Sequence, residues 1–111
     1  MNESQPPHIA LDLATQRLAS VPEHFVELFQ KMDVSVEIYA PVAVDEQKPH
    51  DRDEFYFIAS GQGIFRLENT TISFSTGDFL FVPAHAEHRF EQFSDDFKTW
   101  VVFFGAAKPA P

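Results

Sequence analysis

The chain has 111 residues, 44% of them hydrophobic, which suits one domain with its own core and leaves no room for two. A formal net charge of −9 at pH 7 argues against binding to nucleic acid or to anionic membranes. Because cysteine is absent, a disulfide framework and a thiolate metal site are excluded. The sequence shows no leader pattern and no apolar run of about 18 residues, so we expect a cytoplasmic location.

Residues 1–20 are predicted to form an N-terminal arm and a short helix. Residues 1–8 are polar and proline-rich. Apolar side chains then recur at Leu11, Ala14 and Leu18, which is a spacing typical of a helix of two to three turns. A strand over the same residues remains an alternative.

The rest of the chain shows a series of short strand patterns separated by turns that contain Gly, Pro, Asn or Asp. Val34, Val36 and Ile38 alternate with polar residues, which is the period of a half-buried strand. The predicted strands are residues 25–29, 34–39, 54–60, 63–68, 71–75, 79–82, 88–93 and 99–104. We therefore predict an all-β domain, a sandwich or closed antiparallel barrel, over residues 21–106, with a tail at 107–111.

Two segments that each lead into a predicted strand hold the candidate metal ligands His50, Glu54 and His88. His50 and Glu54 have an even spacing and share a face if the strand between them is regular. His88 opens a later strand that would face them across a barrel. Two imidazoles and one carboxylate form a ligand set for Fe(II), Mn(II), Ni(II) or Zn(II). The residues alone also allow histidines that are simply solvated in loops.

The first of these segments resembles the first motif of the cupin superfamily. That motif reads His, one residue, His, three or four residues, Glu, six residues, Gly. Its second His, its Glu and its Gly fall on His50, Glu54 and Gly61. Its first His falls on Lys48, whose ammonium group cannot bind a metal.

The second segment resembles the second cupin motif, which reads Gly, five residues, Pro, one residue, Gly, two residues, His, three residues, Asn. The first Gly, the Pro and the His of this motif fall on Gly77, Pro83 and His88. The chain departs from the motif at His85, which stands in place of Gly, and at Gln92, which stands in place of Asn.

The resemblance extends over about residues 34–104 and implies a jelly-roll-like antiparallel β-barrel. It also implies one divalent metal ion (Fe, Mn, Ni or Zn) in the barrel mouth, held by the three ligands named above. Gln47 and His85 are candidates for a further ligand. His85 is alternatively a rim residue in a left-handed turn, or a general base at the mouth. Because the motif lacks one ligand, a degenerate and partly filled site is the competing interpretation.

The alternation of strand side chains predicts which residues face the barrel interior. Starting from the two ligands that lie on strands, every second residue points inward. The predicted pocket residues are Tyr56, Ile58, Phe90 and Gln92. A lining of this kind suits a small, flat, partly apolar ligand.

Phe55 and Phe57 are predicted to leave the barrel on its outer face. Together with a total of 13 Phe, they indicate an apolar patch that monomers seldom expose. We expect a homodimer that buries the two rings, as family members commonly form. The alternative is that the segment from Ile9 to Phe29 covers them within one chain.

The resemblance names a fold and a site, and the fold hosts several reactions. We expect a small metal-binding protein that acts as a metal-dependent enzyme of the oxygenase or isomerase type. The alternative is a non-catalytic module that binds or senses a small ligand through a degenerate metal site. Sugar-phosphate isomerisation is a weaker hypothesis, because Lys48 and Arg89 are the only cations expected near the pocket.

Overall fold

A computed structural model describes residues 6–110, so residues 1–5 of the predicted arm and residue 111 of the predicted tail lie outside it. Helix α1 spans Leu11–Ala19, and eight strands follow it: β1 Phe25–Lys31, β2 Val34–Tyr39, β3 Asp53–Ser60, β4 Gln62–Leu67, β5 Thr70–Ser75, β6 Phe79–Val82, β7 His88–Glu91 and β8 Lys98–Phe104. The predicted short helix and the predicted strands are confirmed. The domain boundaries stay a prediction.

The strands form two antiparallel sheets that enclose one core. The larger sheet has the order β1-β2-β8-β3-β6, and the smaller one has the order β5-β4-β7. Both sheets contribute large side chains to the core: Tyr56, Ile58, Phe65, Phe74, Leu80, Val82, Phe90, Phe97 and Val101. The predicted all-β fold of the jelly-roll-like barrel type is confirmed.

Strand β3 sets the direction of the side chains on which the site depends. It pairs with β8 on one side and with β6 on the other, which leaves its side chains free to alternate between the two faces. Glu54, Tyr56 and Ile58 point inward and are buried, whereas Phe57 points outward and is 44% exposed. The predicted alternation along this strand is confirmed.

Helix α1 packs on the outer face of β1 and β2. Ala14 of the helix, Leu28 of β1 and Ile38 of β2 form a second buried cluster, against which Trp100 of β8 packs. The apolar side chains of β2 are thus covered from outside by the helix, and its polar side chains, among them Glu37, face the barrel mouth. Within the described range, no helix is long and apolar enough to cross a membrane.

Two glycines of the motifs have left-handed backbone conformations, and one of them also lies close to a neighbouring chain segment. Gly61 and Gly77 both have φ of +94°, a left-handed conformation that side chains other than glycine rarely adopt. A Cβ atom at Gly61 would lie 2.6 Å from the Cα atom of Phe97, whereas a Cβ atom at Gly77 would meet nothing within 4 Å. Gly61 is therefore required both by its backbone angle and by the close approach of the chain segment before β8.

Candidate metal site and mouth cavity

Three side chains converge at the end of the barrel where β3 and β7 begin. His50 lies in the loop before β3, Glu54 is the second residue of β3, and His88 is the first residue of β7. Their ligand atoms all lie within 4.8 Å of one another. The Nε2 atom of His50 is 2.7 Å, and that of His88 3.5 Å, from the same Oε1 atom of Glu54. The structure thus brings the three predicted ligands together.

Backbone carbonyl groups orient both imidazole rings. The Nδ1 atom of His50 lies 3.0 Å from the carbonyl oxygen of Arg52, and that of His88 lies 3.0 Å from the carbonyl oxygen of Ala86. Because a carbonyl oxygen only accepts, Nδ1 carries the hydrogen in each ring. The Nε2 atom of each ring then faces Glu54, which is the orientation found in metal-ligating histidines. The 2.7 Å hydrogen bond between Nε2 of His50 and Oε1 of Glu54 needs a proton between these atoms, and a bound metal ion would take the place of that proton.

Two atoms of the cluster are buried without a partner. Glu54 is 0% and His88 is 5% exposed, and among residues 6–110 neither Oε2 of Glu54 nor Nε2 of His88 has a hydrogen-bond partner. A buried polar atom left unpaired costs about 1–3 kcal/mol, and more when it is charged. A divalent cation among the three side chains would satisfy both atoms, so the donor set fits a metal ion.

The pKa of His50 shows that the cluster stabilises positive charge. Burial favours the neutral ring, but the hydrogen bond to Glu54 and the charge of that carboxylate outweigh burial and raise the pKa of His50. A proton and a metal ion are therefore alternatives between these two side chains.

The two candidates for a further ligand have other partners. The Oε1 atom of Gln47 accepts a hydrogen bond from the hydroxyl group of Tyr56 at 2.8 Å. The Nε2 atom of His85 lies 2.7 Å from the carbonyl oxygen of Lys108, away from the three-residue cluster. His85 has φ of +72°, as expected for a residue that replaces a turn glycine. Its geometry supports the rim residue and neither the further ligand nor the general base.

The predicted pocket needs correction. Tyr56, Ile58 and Phe90 point inward but are packed in the core, where each is at most 3% exposed. Gln92 is exposed, because β7 ends at Glu91 and Gln92 has φ of +51°, which breaks the alternation. The prediction that Gln92 faces the interior is wrong.

The cavity at the barrel mouth lies above the core, next to the cluster. Its volume is about 250 Å³, and it is lined by Phe25, Glu37, Tyr39, Gln47, Lys48, Glu54, Val101 and Phe103. Lys48 therefore lies beside the site, as its place in the motif predicts. The wall contributed by β1 and β2 was missed by the sequence analysis. The polar residues that alternate along β2 were the one signal for it.

Glu37 is a second carboxyl group in this cavity. Burial, followed by the charges of Glu54 and Glu27, raises the pKa of Glu37 from 4.5 to about 7. The cavity therefore holds a group that gains or loses a proton near neutral pH.

Asp45 fastens the loop that carries His50. The carboxylate of Asp45 is 1% exposed and accepts hydrogen bonds from the hydroxyl group of Tyr39, from the backbone and side-chain nitrogens of Gln47, and from the backbone nitrogen of Phe90. Burial and then the hydrogen bond to Asp45 raise the pKa of Tyr39, which keeps its phenol a donor. One buried carboxylate thus ties the loop to β2 and β7. The polar composition of residues 42–53 gave no sign of it.

The fold and the mouth cluster define a small jelly-roll barrel with a single His–Glu–His centre. A family model described as a cupin domain matches residues 35–104, so the chain belongs to the cupin family. A relative from Streptomyces coelicolor, Uncharacterized protein SCO3923, is 35% identical over 81 residues, which cover 71% of this chain and 77% of the relative.

Solved structures show the same fold. DMSP lyase DddQ from Ruegeria pomeroyi DSS-3 superposes with a TM-score of 0.65 at 20% identity, over 78% of this chain and 48% of that one. This chain thus spans about half the length of the lyase. A cupin superfamily protein from Desulfitobacterium hafniense DCB-2 superposes with a TM-score of 0.63 at 23% identity, over 90% of this chain and 94% of that one.

Proposed function

We propose that this protein binds one divalent metal ion, Fe, Mn, Ni or Zn, through His50, Glu54 and His88 and is a metal-dependent enzyme acting on a small, partly apolar molecule. The observation that carries the proposal is the pair of buried, unpartnered atoms, Oε2 of Glu54 and Nε2 of His88. Natural proteins rarely leave such atoms unpaired without a functional reason. The oxygenase and isomerase types are both included in the proposal.

The residues of the cavity have separate tasks in such an enzyme. A bound ion would act as a Lewis acid toward a carbonyl or enol oxygen of the substrate. Glu37 would take up or release a substrate proton, since it lines the same cavity as Glu54. Lys48 would attract negative charge on the substrate. Val101 and Phe103 supply an apolar wall that reduces the access of water.

A non-catalytic ligand-binding module with a degenerate metal site is the second candidate. The observation that favours it is Lys48, which stands where the family motif has its first histidine and leaves three protein ligands. A small molecule in the cavity is the partner in either case. The cytoplasmic location stays a prediction.

The metal is tested by elemental analysis of protein purified without a His-tag. We expect about one metal ion per chain in the wild type and a loss of affinity of more than tenfold in His88→Ala, because a three-ligand site has no redundancy. His8→Ala removes an exposed histidine outside the cluster and serves as the matched control. Full metal occupancy in His88→Ala would contradict the ligand set. A metal-free wild type that retains a bound small molecule would favour the binding module.

We propose further that the protein is a homodimer, with a second copy seated on the outer face of β8, β3 and β6. Helix α1 packs on β1 and β2 and reaches β8 at Trp100. The segment from Ile9 to Phe29 still leaves Phe57, Phe79 and Phe81 44%, 51% and 43% exposed. With about 200 Å² per Phe, these rings expose about 300 Å² of apolar surface. That area suits the apolar centre of an isologous interface, of which about 800 Å² per partner is typical.

Sedimentation analysis of the wild type, of Phe57→Asp and of Ile72→Asp tests the dimer. Ile72 is also exposed, at 37%, but lies on β5 in the other sheet. We expect a dimeric wild type, a folded monomeric Phe57→Asp and a dimeric Ile72→Asp. A monomeric wild type at micromolar concentration would exclude the dimer.

A further inference from the structure

A second cavity adjoins the mouth cavity on the side away from the metal cluster. Its volume is about 330 Å³, and it is lined by Glu23, His24, Phe25, Tyr39, Val44, Glu46 and Gln47. Phe25, Tyr39 and Gln47 line both cavities. We call the mouth cavity the inner cavity and this one the outer cavity. The three shared residues make the two cavities neighbours, and the cluster of His50, Glu54 and His88 borders the inner cavity through Glu54.

The lining of the outer cavity has a defined polarity. Glu23 and Glu46 contribute two carboxyl groups, and Phe25 and Tyr39 contribute two aromatic rings. Among the described residues that line it there is no Lys or Arg. Aromatic faces and carboxylates both attract an organic cation, and aromatic rings are the usual seat of quaternary ammonium groups. A phosphate or carboxylate group would meet two carboxylates, and the only basic side chain in this lining is the imidazole of His24.

The inner cavity has a different polarity. Of the two cavities, only the inner one is lined by Lys48 and by the two carboxyl groups of Glu37 and Glu54. Glu54 is fully buried, and its Oε2 atom has no hydrogen-bond partner among the described residues. An unpartnered buried oxygen that lines a cavity calls for a bound group. The site thus offers one Lys beside two carboxyl groups near the cluster, and two carboxyl groups with no Lys or Arg at the far end.

We propose that the outer cavity holds the cationic end, an ammonium or amine group, of an elongated small molecule whose other end reaches the cluster of His50, Glu54 and His88. The placement of the cationic end depends only on the outer cavity. The placement of the other end at the cluster rests on the proposed function. The combined space lies within the range of about 300–1,000 Å³ that is typical of small-molecule sites. A sugar phosphate directed with its phosphate into the outer cavity is disfavoured.

The test compares choline with its uncharged isostere 3,3-dimethylbutan-1-ol and with inorganic phosphate. Each is titrated into chelator-treated protein and followed by two-dimensional amide NMR, so that the outcome does not depend on a metal. We expect choline to bind at least tenfold more tightly than the isostere, with shifts at Phe25, Val44 and Gln47. Phosphate should not shift these amides. Equal affinity for choline and the isostere, or preferred binding of phosphate, would overturn the proposal.

Charge variants give a second readout. The double variant Glu23→Gln/Glu46→Gln removes two exposed carboxylates, and we expect it to weaken choline binding about fivefold while leaving the isostere unchanged. Asp95→Asn removes an exposed carboxylate elsewhere and should change neither affinity. An unchanged choline affinity in the double variant would overturn the proposal. Elemental analysis tests the metal site, and the choline titration of chelator-treated protein tests the cation site. Because the two measurements are independent, a failure of one proposal can be distinguished from a failure of the other.

Discussion

Glu37→Gln tests whether the mouth cavity holds a carboxyl group that is protonated up to neutral pH. Glu37 is half-buried on β2, stands directly opposite Glu27 of β1, and lines the inner cavity together with Glu54 and Lys48. His50 is the nearby group that lowers its pKa, but burial and the two carboxylates prevail, so that the pKa is about 7 in place of 4.5. In the variant this group cannot ionise.

The magnitude follows from linkage between protonation and folding. One pKa unit corresponds to about 1.36 kcal/mol, so the rise of the pKa from 4.5 to about 7 corresponds to at most about 3 kcal/mol. Because Glu37 is only half-buried, solvent screening reduces this to about 1–2 kcal/mol. The folded state holds the proton more strongly than the unfolded state does. Its stability therefore falls as the pH rises from about 4.5 to about 7 and stays lower above that.

The assay is denaturant unfolding of chelator-treated protein at pH 5 and pH 8. At each pH we compare the free energy of unfolding of Glu37→Gln with that of the wild type. We expect this difference to favour the variant by about 1–2 kcal/mol more at pH 8 than at pH 5. Asp95→Asn, at an exposed position that does not contribute to the pKa of Glu37, is the control and should change the free energy of unfolding by less than about 0.5 kcal/mol. If the difference between Glu37→Gln and the wild type is the same at both pH values, Glu37 does not titrate as argued.

Four further variants probe the site and its supports. Lys48→His restores the family motif and should tighten metal binding about tenfold, measured by competition with a chelator, because a neutral imidazole replaces a repelling cation; unchanged binding would mean that the loop does not reach the metal. Asp45→Asn turns an amide nitrogen toward donors that need an acceptor, so we expect the free energy of unfolding, measured with denaturant, to fall by about 2–4 kcal/mol. A fall of less than about 1 kcal/mol would show that the four hydrogen bonds contribute little. Gly61→Ala and Gly77→Ala share a φ of +94°. We expect a cost of about 1–2 kcal/mol for Gly77→Ala from the backbone angle alone, and about 2 kcal/mol more for Gly61→Ala because its Cβ meets the backbone of the neighbouring segment; equal costs would contradict the close approach.

The strands were predictable because the alternation in their sequence survives in three dimensions. On β3, Glu54 and Tyr56 point inward and Phe57 points outward, as the period of two requires. β2 shows the limit of this reasoning. Its apolar residues, such as Ile38, are buried on the outer face, because helix α1 supplies a second core there. Alternation of apolar and polar residues shows that a strand has two different faces, but it does not show which face meets the barrel interior.

The three candidate ligands were predictable because motif spacing fixes which positions come together. The rest of the site was not, since it depends on contacts between distant segments. Phe25 and Glu37 reach the cavity only through the pairing of β1 with β2 and of β2 with β8. Asp45 lies in a loop whose composition resembles that of any solvated turn. Gln92 was misplaced because a single left-handed residue ends the alternation one step earlier than the sequence suggests.

The position of β8 has a consequence for how this chain acquires its fold during synthesis. The last strand of the chain lies in the middle of the larger sheet, between β2 and β3, and pairs with both. Until residues 98–104 leave the ribosome, β2 and β3 each keep an open edge, and open edges invite pairing with other chains. The sheet can therefore close only after β8 has been synthesised. A nascent chain stalled before Lys98 should be sensitive to protease and prone to aggregation, however well its helix and first hairpin have formed.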